Sequence, residues 1–341
     1  MRKGKWAGRI AALAMIVVGV ATQARAQSVA DFYHGKTLRM IIGYGSGGGY
    51  DIYGRLVAEF LPKHIPGAPT IITQNMPGGG SFVAAKYLAD VAPKDGTMFG
   101  SLAQTLALDS IVGNTANIDV SKFHYLGRMV TNIDTGVALP KSGIKSFDDV
   151  RNKEYTVGAS GGGSTTMVFP TALNTYAGAK FKIIRGYPGS TEIALAMEKG
   201  EVDIVGAYGL PGILINHPGW IDKGEAVILY QAALKRHPLL PNVPTLPELG
   251  ITPEGKDILR ATASTAEIGR SIIAGPGTPP DRLKALRDAF QAMLADPEFV
   301  AACKTRGLMI DGGTGEEMDA IVADTLKMPK DILLKVADMM K

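Results

Sequence analysis

Residues 43–51 read GYGSGGGYD, five glycines in nine positions. An apolar run, LRMII at 38–42, leads into them, and IYGRLVAEFLP at 52–62 leads out with the spacing of an amphipathic helix. A strand, a glycine-rich loop and a helix start make a receptacle for an anion. The first amides of a helix have no intrahelical acceptor and sit at the positive end of its dipole, and glycine lets a guest approach them closely. A second loop of this kind, VGASGGGSTT at 157–166, again joins a strand-like to a helix-like segment. One such loop would say little. Two, on either side of an apparent domain boundary, predict two amide-lined walls facing one guest. Ser46, Ser160, Ser164 and Thr165 add neutral donors. With no permanent cation in either loop, a small dicarboxylate would be held and still released.

The remainder of the chain alternates in the same way. TLRMIIGY, PTIITQN, GTMFGSLAQ, HYLGRMV, GVALP, YTVGAS, KFKIIRGY, VDIVGAY, AVILYQAAL and SIIAGPG are strand-like, with helix-like segments between most of them. This predicts an α/β fold of mostly parallel sheets flanked by helices. Ser146 reads as the N-cap of a helix in SFDDVRN. Residues 279–307 place Leu283, Leu286, Phe290, Met293 and Leu294 at helical spacing, and a last helical segment spans 316–340 with an interruption at Pro329. The chain has no evident linker. Two domains are therefore expected to be joined by strands that cross between them, with HYLGRMV and AVILYQ as the candidate pair. The expected division is 27–126 with 227–341 in one domain and 127–226 in the other. The Pro-rich RHPLLPNVPTLPELG should run over the surface.

The N-terminus has a basic front (Arg2, Lys3, Lys5, Arg9), a 12-residue apolar run at 10–21 and then Ala24-Arg25-Ala26. That is the three-part layout of a cleavable secretory signal. The run falls short of the roughly 20 residues a bilayer span needs. Residues 1–26 are the expected signal peptide, and the mature chain starts at Gln27. Those residues hold five basic side chains and no acid, so removing them takes the formal charge from +4 to −1. The working protein then has no whole-molecule attraction for nucleic acid or anionic lipid. Its single cysteine, Cys303, allows no internal disulfide. No cysteine follows the cleavage site for lipid attachment, so a freely soluble periplasmic protein is expected.

Enzymatic motifs compete for the same loops. Gly43, Gly45 and Gly48 satisfy G-x-G-x-x-G, but the next strand ends in Gln74-Asn75, without the acid that would hold a ribose. Gly158, Ser160 and Gly162 satisfy G-x-S-x-G, with Asp203 or Asp222 and then His237 following in hydrolase order. An exported serine hydrolase using Ser160 is thus the enzymatic alternative. His34, His64, His124, His217 and His237 have no metal-ligand spacing among themselves or with Cys303, so neither metal nor cofactor is expected. Asp51, at the front of its helix, reads first as a cap or loop brace.

Five blocks in order now carry a resemblance: IIGYGSGGGYDIYGRLVAEFL, TQNMPGGGSFVAAKYLADVAPKDGTMFG, VGASGGGSTT, RGYPGSTEIALAMEKGEVDIV, and the late LPNVPTLPELG and IIAGPGTPPDRLKAL taken together. The chain resembles the substrate-binding proteins of tripartite tricarboxylate transporters, the Bug-type receptors. The resemblance implies a two-domain periplasmic binding protein (type II-like, a Venus flytrap). Such a receptor closes as a monomer on a small carboxylate and docks on membrane permease subunits. A sensor subunit for a signalling partner is the variant of this reading. Carried onto this chain, the ligand loops are Ser46, Gly47, Gly48, Gly49, Tyr50 and Asp51, and Ser160, Gly161, Gly162, Gly163, Ser164 and Thr165. Gln104 takes the place of a further polar contact, Gly186 and Tyr187 flank the cleft, and Asp203 braces it. Gly43-Tyr44 stand where the family has Pro-Phe, and Tyr50 where it has a small residue. Tyr44, Tyr50, Tyr53, Tyr187 and Tyr208 could line the cleft, which leaves room for an aromatic acid beside a di- or tricarboxylate. Arg185 could meet a distal carboxylate or lie at the surface.

Overall fold

The structure is a computed structural model that describes residues 27–107, 118–161, 163–327, 331–332 and 334–335. The expected signal peptide, Gly162 and Pro329 lie outside them. The strands are β1 (Thr37–Ile42), β2 (Thr70–Asn75), β3 (Met98–Ser101), β4 (His124–Arg128), β5 (Asp134–Ala138), β6 (Tyr155–Ala159), β7 (Phe181–Arg185), β8 (Ile204–Gly209), β9 (Val227–Ala232), β10 (Ser271–Ala274) and β11 (Gly313–Thr314). They form two sheets, β11-β4-β10-β3-β1-β2 and β7-β6-β8-β5-β9. In the first, β1 runs parallel to β2 and β3, while β10 is antiparallel to both β3 and β4. In the second, β6 is parallel to β7 and β8, and β5 runs against β8 and β9. The sheets are therefore mixed, with the parallel order carried by the βα repeats.

Helices cover both faces of each sheet. β8 is buried along its whole length as a result, and β1 from Met40 to Ile42, as doubly covered strands must be. The helix Gly49–Phe60 drives Tyr53, Leu56 and Val57 onto Met40 and Phe99. Ile41 faces the other way, onto Ala84, Leu88 and Met318. In the second lobe Phe169 and Leu173 pack beneath Tyr230 and Leu259, and the opposite face buries Ile193, Met197 and Trp220. Ser146 caps its helix through a capping box with Asp149, as its position suggests. The apolar stripe at 279–307 is split into two helices, Pro280–Leu294 and Pro297–Thr305. Asp296 caps the second, its side chain accepting the amide of Glu298, and Pro297 begins it in the first turn, where a missing N–H costs no helical bond.

The division at 227 needs correction. β9 pairs with β5 in the second sheet, and the helix Pro253–Ala263 packs on the helix Thr165–Ala177 of the same lobe. Residues 227–263 therefore belong with the second lobe. The chain crosses once between β4 and β5 and again between Ala263 and β10. The two crossings are hydrogen-bonded to each other: Asn132 N–H donates to Ala266 O (3.0 Å), Met129 N–H to Arg270 O (2.8 Å) and Arg270 N–H to Val130 O (2.9 Å). Gly269 has φ +53°, and a Cβ there would lie 2.0 Å from Val130 O, so only glycine fits between the crossings. Near the C-terminus Ile332 packs on the second lobe's core, and Lys335 is ion-paired with Glu254.

Candidate ligand-binding site

The crevice between the sheets collects residues from both lobes and both crossings. Tyr44, Gly48, Gly49 and Tyr50 line one wall; Ser160, Ser164 and Thr165 line the other. The two glycine loops thus share one hollow. It is nearly shut, with a free cavity of about 30 Å³. Admission of any guest larger than a few waters requires the lobes to part.

The first loop is held by a brace. Gly47 (φ +84°) donates its N–H to Asp51 Oδ2 at 2.9 Å. Asp51 also accepts Arg55 Nε at 2.9 Å and Asn75 Nδ2 at 2.8 Å, and that amide also donates to Tyr44 O at 2.9 Å. Burial pushes the Asp51 carboxyl up, but the bonds from Arg55, Gly47 and Asn75 outweigh it and leave it below the usual carboxylate range. Replacing Asp51 with asparagine should cost about 2 kcal/mol, the worth of hydrogen bonds to a charged group. A folded pKa below the unfolded one stabilises above the unfolded value. The deficit of the variant should therefore be full at neutral pH and close as pH falls below about 4, towards the lowered folded value. Urea titrations of both proteins at several pH values read this directly.

Asp51 is therefore a brace and not a lining residue. Ser46 is exposed, with its hydroxyl on Asn75 Oδ1 at 3.4 Å. Gln104 lies behind Tyr50, its N–H donating to the phenol oxygen at 2.9 Å and its Oε1 accepting from Asn132 at 2.9 Å. Tyr53 and Tyr208 are core residues; their hydroxyls are bonded to Met309 O and Asn216. Gly186 is exposed and Tyr187 packs on the second lobe's core, so neither lines the crevice. Arg185 is exposed too. The stacked pair Tyr44–Tyr50 (centroids 4.6 Å) supplies the aromatic surface.

The second loop differs from the first. Its helix, Thr165–Ala177, has Ser164 as N-cap and no acid in its first turn. The Ser160 amide donates to Thr166 Oγ1 (3.0 Å), and Ser164 Oγ donates to Gly161 O (2.7 Å). The amides of Thr165 and Thr166 are left with no helical acceptor. By contrast Asp51 and Glu192 already supply anions to the first turns of Gly49–Phe60 and Ser190–Lys199.

The lobes touch through glycine and short polar links. Asn216 Nδ2 donates to Gly47 O (3.1 Å), and Thr105 Oγ1 donates to Gly163 O. Gly161 lies on Gly79 and Gly80, where a Cβ would come within 2.6 Å of Gly80 N and 2.7 Å of Gly79 C.

The floor was not anticipated from sequence. Arg270, on the second crossing, is buried beneath Gly49, with its guanidinium 3.9 Å from the Tyr50 ring centre. Its Nη2 lies 3.9 Å from Oδ1 of buried Asp134, the first residue of β5. Gly209 makes the space: a Cβ there would sit 2.5 Å from Arg270 Nη2. Burial drives the Asp134 carboxyl up, against the pull of Arg270, Asn132 and Thr165. Glu192 completes the lining, folded between Gly189 and Gly45. The site therefore holds a fixed cation, contrary to the expectation of amides alone. The signal was available in Arg270, which stands just before an apolar run whose strand must enter a core.

The hydrolase geometry is not present. Ser160 Oγ is bonded to Thr166 Oγ1 (3.1 Å). His237 Nδ1 accepts the Leu239 amide (3.2 Å) at a separate surface hollow. Asp203 binds Thr156 at the far end of β6, roughly 13 Å along the strand from Ser160.

Two α/β lobes joined by paired crossings, with a lined crevice between, define a solute-binding protein. A family profile for the tripartite tricarboxylate transporter family receptor (TctC) matches residues 54–337, and the chain belongs to that family. Its members are receptors and not enzymes. A Cupriavidus necator protein described as the UPF0065 protein in the gbd 5' region is 26% identical over 321 residues, 91% of this chain and 90% of its own length. The periplasmic binding protein BugD superposes with a TM-score of 0.70 at 20% identity, over 88% of this chain and 97% of its own. MatC from Rhodopseudomonas palustris, solved with bound malate, gives 0.65 at 17% identity, over 90% and 99%. Among the described residues no helix is long and apolar enough to cross a membrane.

Proposed function

We propose that this chain is a periplasmic receptor, exported by removal of residues 1–26, that captures a small carboxylate in the crevice. It would close as a monomer about the paired crossings and deliver the guest to membrane permease subunits. The observation that carries this reading is the crevice-facing end of the helix Thr165–Ala177, which brings first-turn amides without helical acceptors and no acid of its own, set against buried Arg270. Amides and guanidinium together offset the desolvation of a carboxylate, which neither wall could do alone. The malate-bound relative supports the ligand class. Calorimetry of residues 27–341 against mono-, di- and aromatic carboxylates tests it. At least one should bind with micromolar or tighter affinity, about −8 kcal/mol. Absence of heat across the panel contradicts the reading.

A further inference from the structure

Ser81 stands where the backbone asks for glycine. It ends the run Gly78-Gly79-Gly80-Ser81, whose φ angles are +140°, +56°, +66° and +81°. Glycine takes such angles freely, whereas a side chain there is crowded against its own backbone. Among the described residues only Ala68 and Ser81 have a positive φ without being glycine; Ala68 is exposed and Ser81 is fully buried. Ser81 holds the N-cap position of the helix Phe82–Asp90, yet its side chain caps no amide of that helix. Neither the turn nor the helix start explains the serine.

Its hydroxyl is used elsewhere. Ser81 Oγ accepts the amide of Ala103 at 3.2 Å, a buried bond between two segments of the first lobe. It fills the room that Gly43 leaves open: a Cβ at Gly43 would overlap Ser81 Oγ and stand 2.7 Å from Ser81 Cβ. The two residues after Ala103 both serve the crevice. The Gln104 amide donates to the Tyr50 phenol oxygen at 2.9 Å, and the Tyr50 ring stacks on Tyr44 and lies over Arg270. Thr105 Oγ1 donates to Gly163 O of the facing lobe. On the other side of Ser81, Gly80 rests on that same loop, where a Cβ would stand 3.0 Å from Gly163 C. The one Ser81–Ala103 bond thus ties together the two segments of the first lobe that meet Gly163. Resting on the receptor reading, we propose that Ser81 is a positioning residue for closure. It accepts a strained backbone so that its hydroxyl can hold residues 103–105, and it acts on the guest only through Tyr50 and Thr105.

Substitutions at 81 and 43 of the mature chain test this. The guest is whichever of acetate, succinate, malate, adipate and benzoate binds the wild type most tightly by calorimetry. Ser81→Gly relieves the left-handed strain but leaves the Ala103 amide unpaired, two opposed effects, so its urea midpoint should move little. Its affinity should nevertheless fall about ten-fold, on the scale of one lost hydrogen bond. Ser81→Ala keeps the strain and loses the oxygen, so it should bind as weakly as Ser81→Gly and unfold at lower urea. The backbone at Gly43 is not left-handed, so Gly43→Ser combined with Ser81→Gly places a hydroxyl in the vacated space. That double variant should recover affinity to within about three-fold of the wild type. Wild-type affinity in Ser81→Gly overturns the proposal and leaves the receptor reading intact. So does a double variant that keeps its stability but binds no better than Ser81→Gly. No binding of any of the five acids by the wild type overturns both.

Discussion

Replacing Gly161 with alanine should lower ligand affinity ten- to a hundred-fold while leaving the unliganded protein folded as before. Gly161 does not need a left-handed backbone, so alanine costs little in an open molecule. On closure its methyl meets backbone, 2.6 Å from Gly80 N and 2.7 Å from Gly79 C. Backbone cannot swing aside as a side-chain tip can. Overpacking of this kind costs about 1–3 kcal/mol, which is the stated loss in affinity. The closed state also loses alignment of the Thr105–Gly163 bond beside it. Calorimetry should show the weakened binding, and thermal unfolding without ligand should move little. Small-angle scattering at saturating ligand should give a larger radius of gyration than the wild type. Unchanged affinity would mean that the two glycine loops do not need to meet.

Replacing Arg270 with methionine should be the more damaging change. Asp134, whose carboxyl burial already drives up, would lose the cation that offsets its desolvation, costing about 3–5 kcal/mol of stability. Ligand affinity should fall by a hundred-fold or more, as when one partner of a buried charged contact is removed. Pairing it with Asp134→Leu separates the two effects. The double variant loses both charges, so most of the stability should return. Binding should not, because the ligand's own anion then has no guanidinium. Denaturant titration and calorimetry on the three variants distinguish these outcomes. Recovery of binding in the double variant would show that Arg270 only neutralises Asp134.

Much of this protein was readable before any coordinate. The β1 loop and the β6 loop announce themselves because glycine density between an apolar run and an amphipathic segment has few physical explanations. The alternation of runs gave the sheets, and Ser146 gave its cap. What could not be read was partnership across distance. β9 looks like any apolar strand, and only its pairing with β5 assigns residues 227–263 to the second lobe. The break at Asp296-Pro297 was legible in principle, since proline within a helical stripe should have ended it. Asp51 reads as a brace from its place at the helix front and as a ligand contact from its loop, because proximity in sequence says nothing about which way a carboxylate turns. Tyr208 and Tyr187 were drawn to the cleft by chemistry and kept from it by packing. Arg270 and Asp134 lie more than a hundred residues apart, outside either loop. Only the hydrogen-bonded crossings bring them together.

Amide hydrogen exchange with and without a bound carboxylate is the most direct measurement of whether one guest is gripped from both sides. Peptides covering 44–51 and 160–166 should slow together on saturation, with 129–134 and 266–270 stiffening beside them. Protection of a single loop, or protection centred on the separate hollow around 234–237, would contradict capture between the lobes.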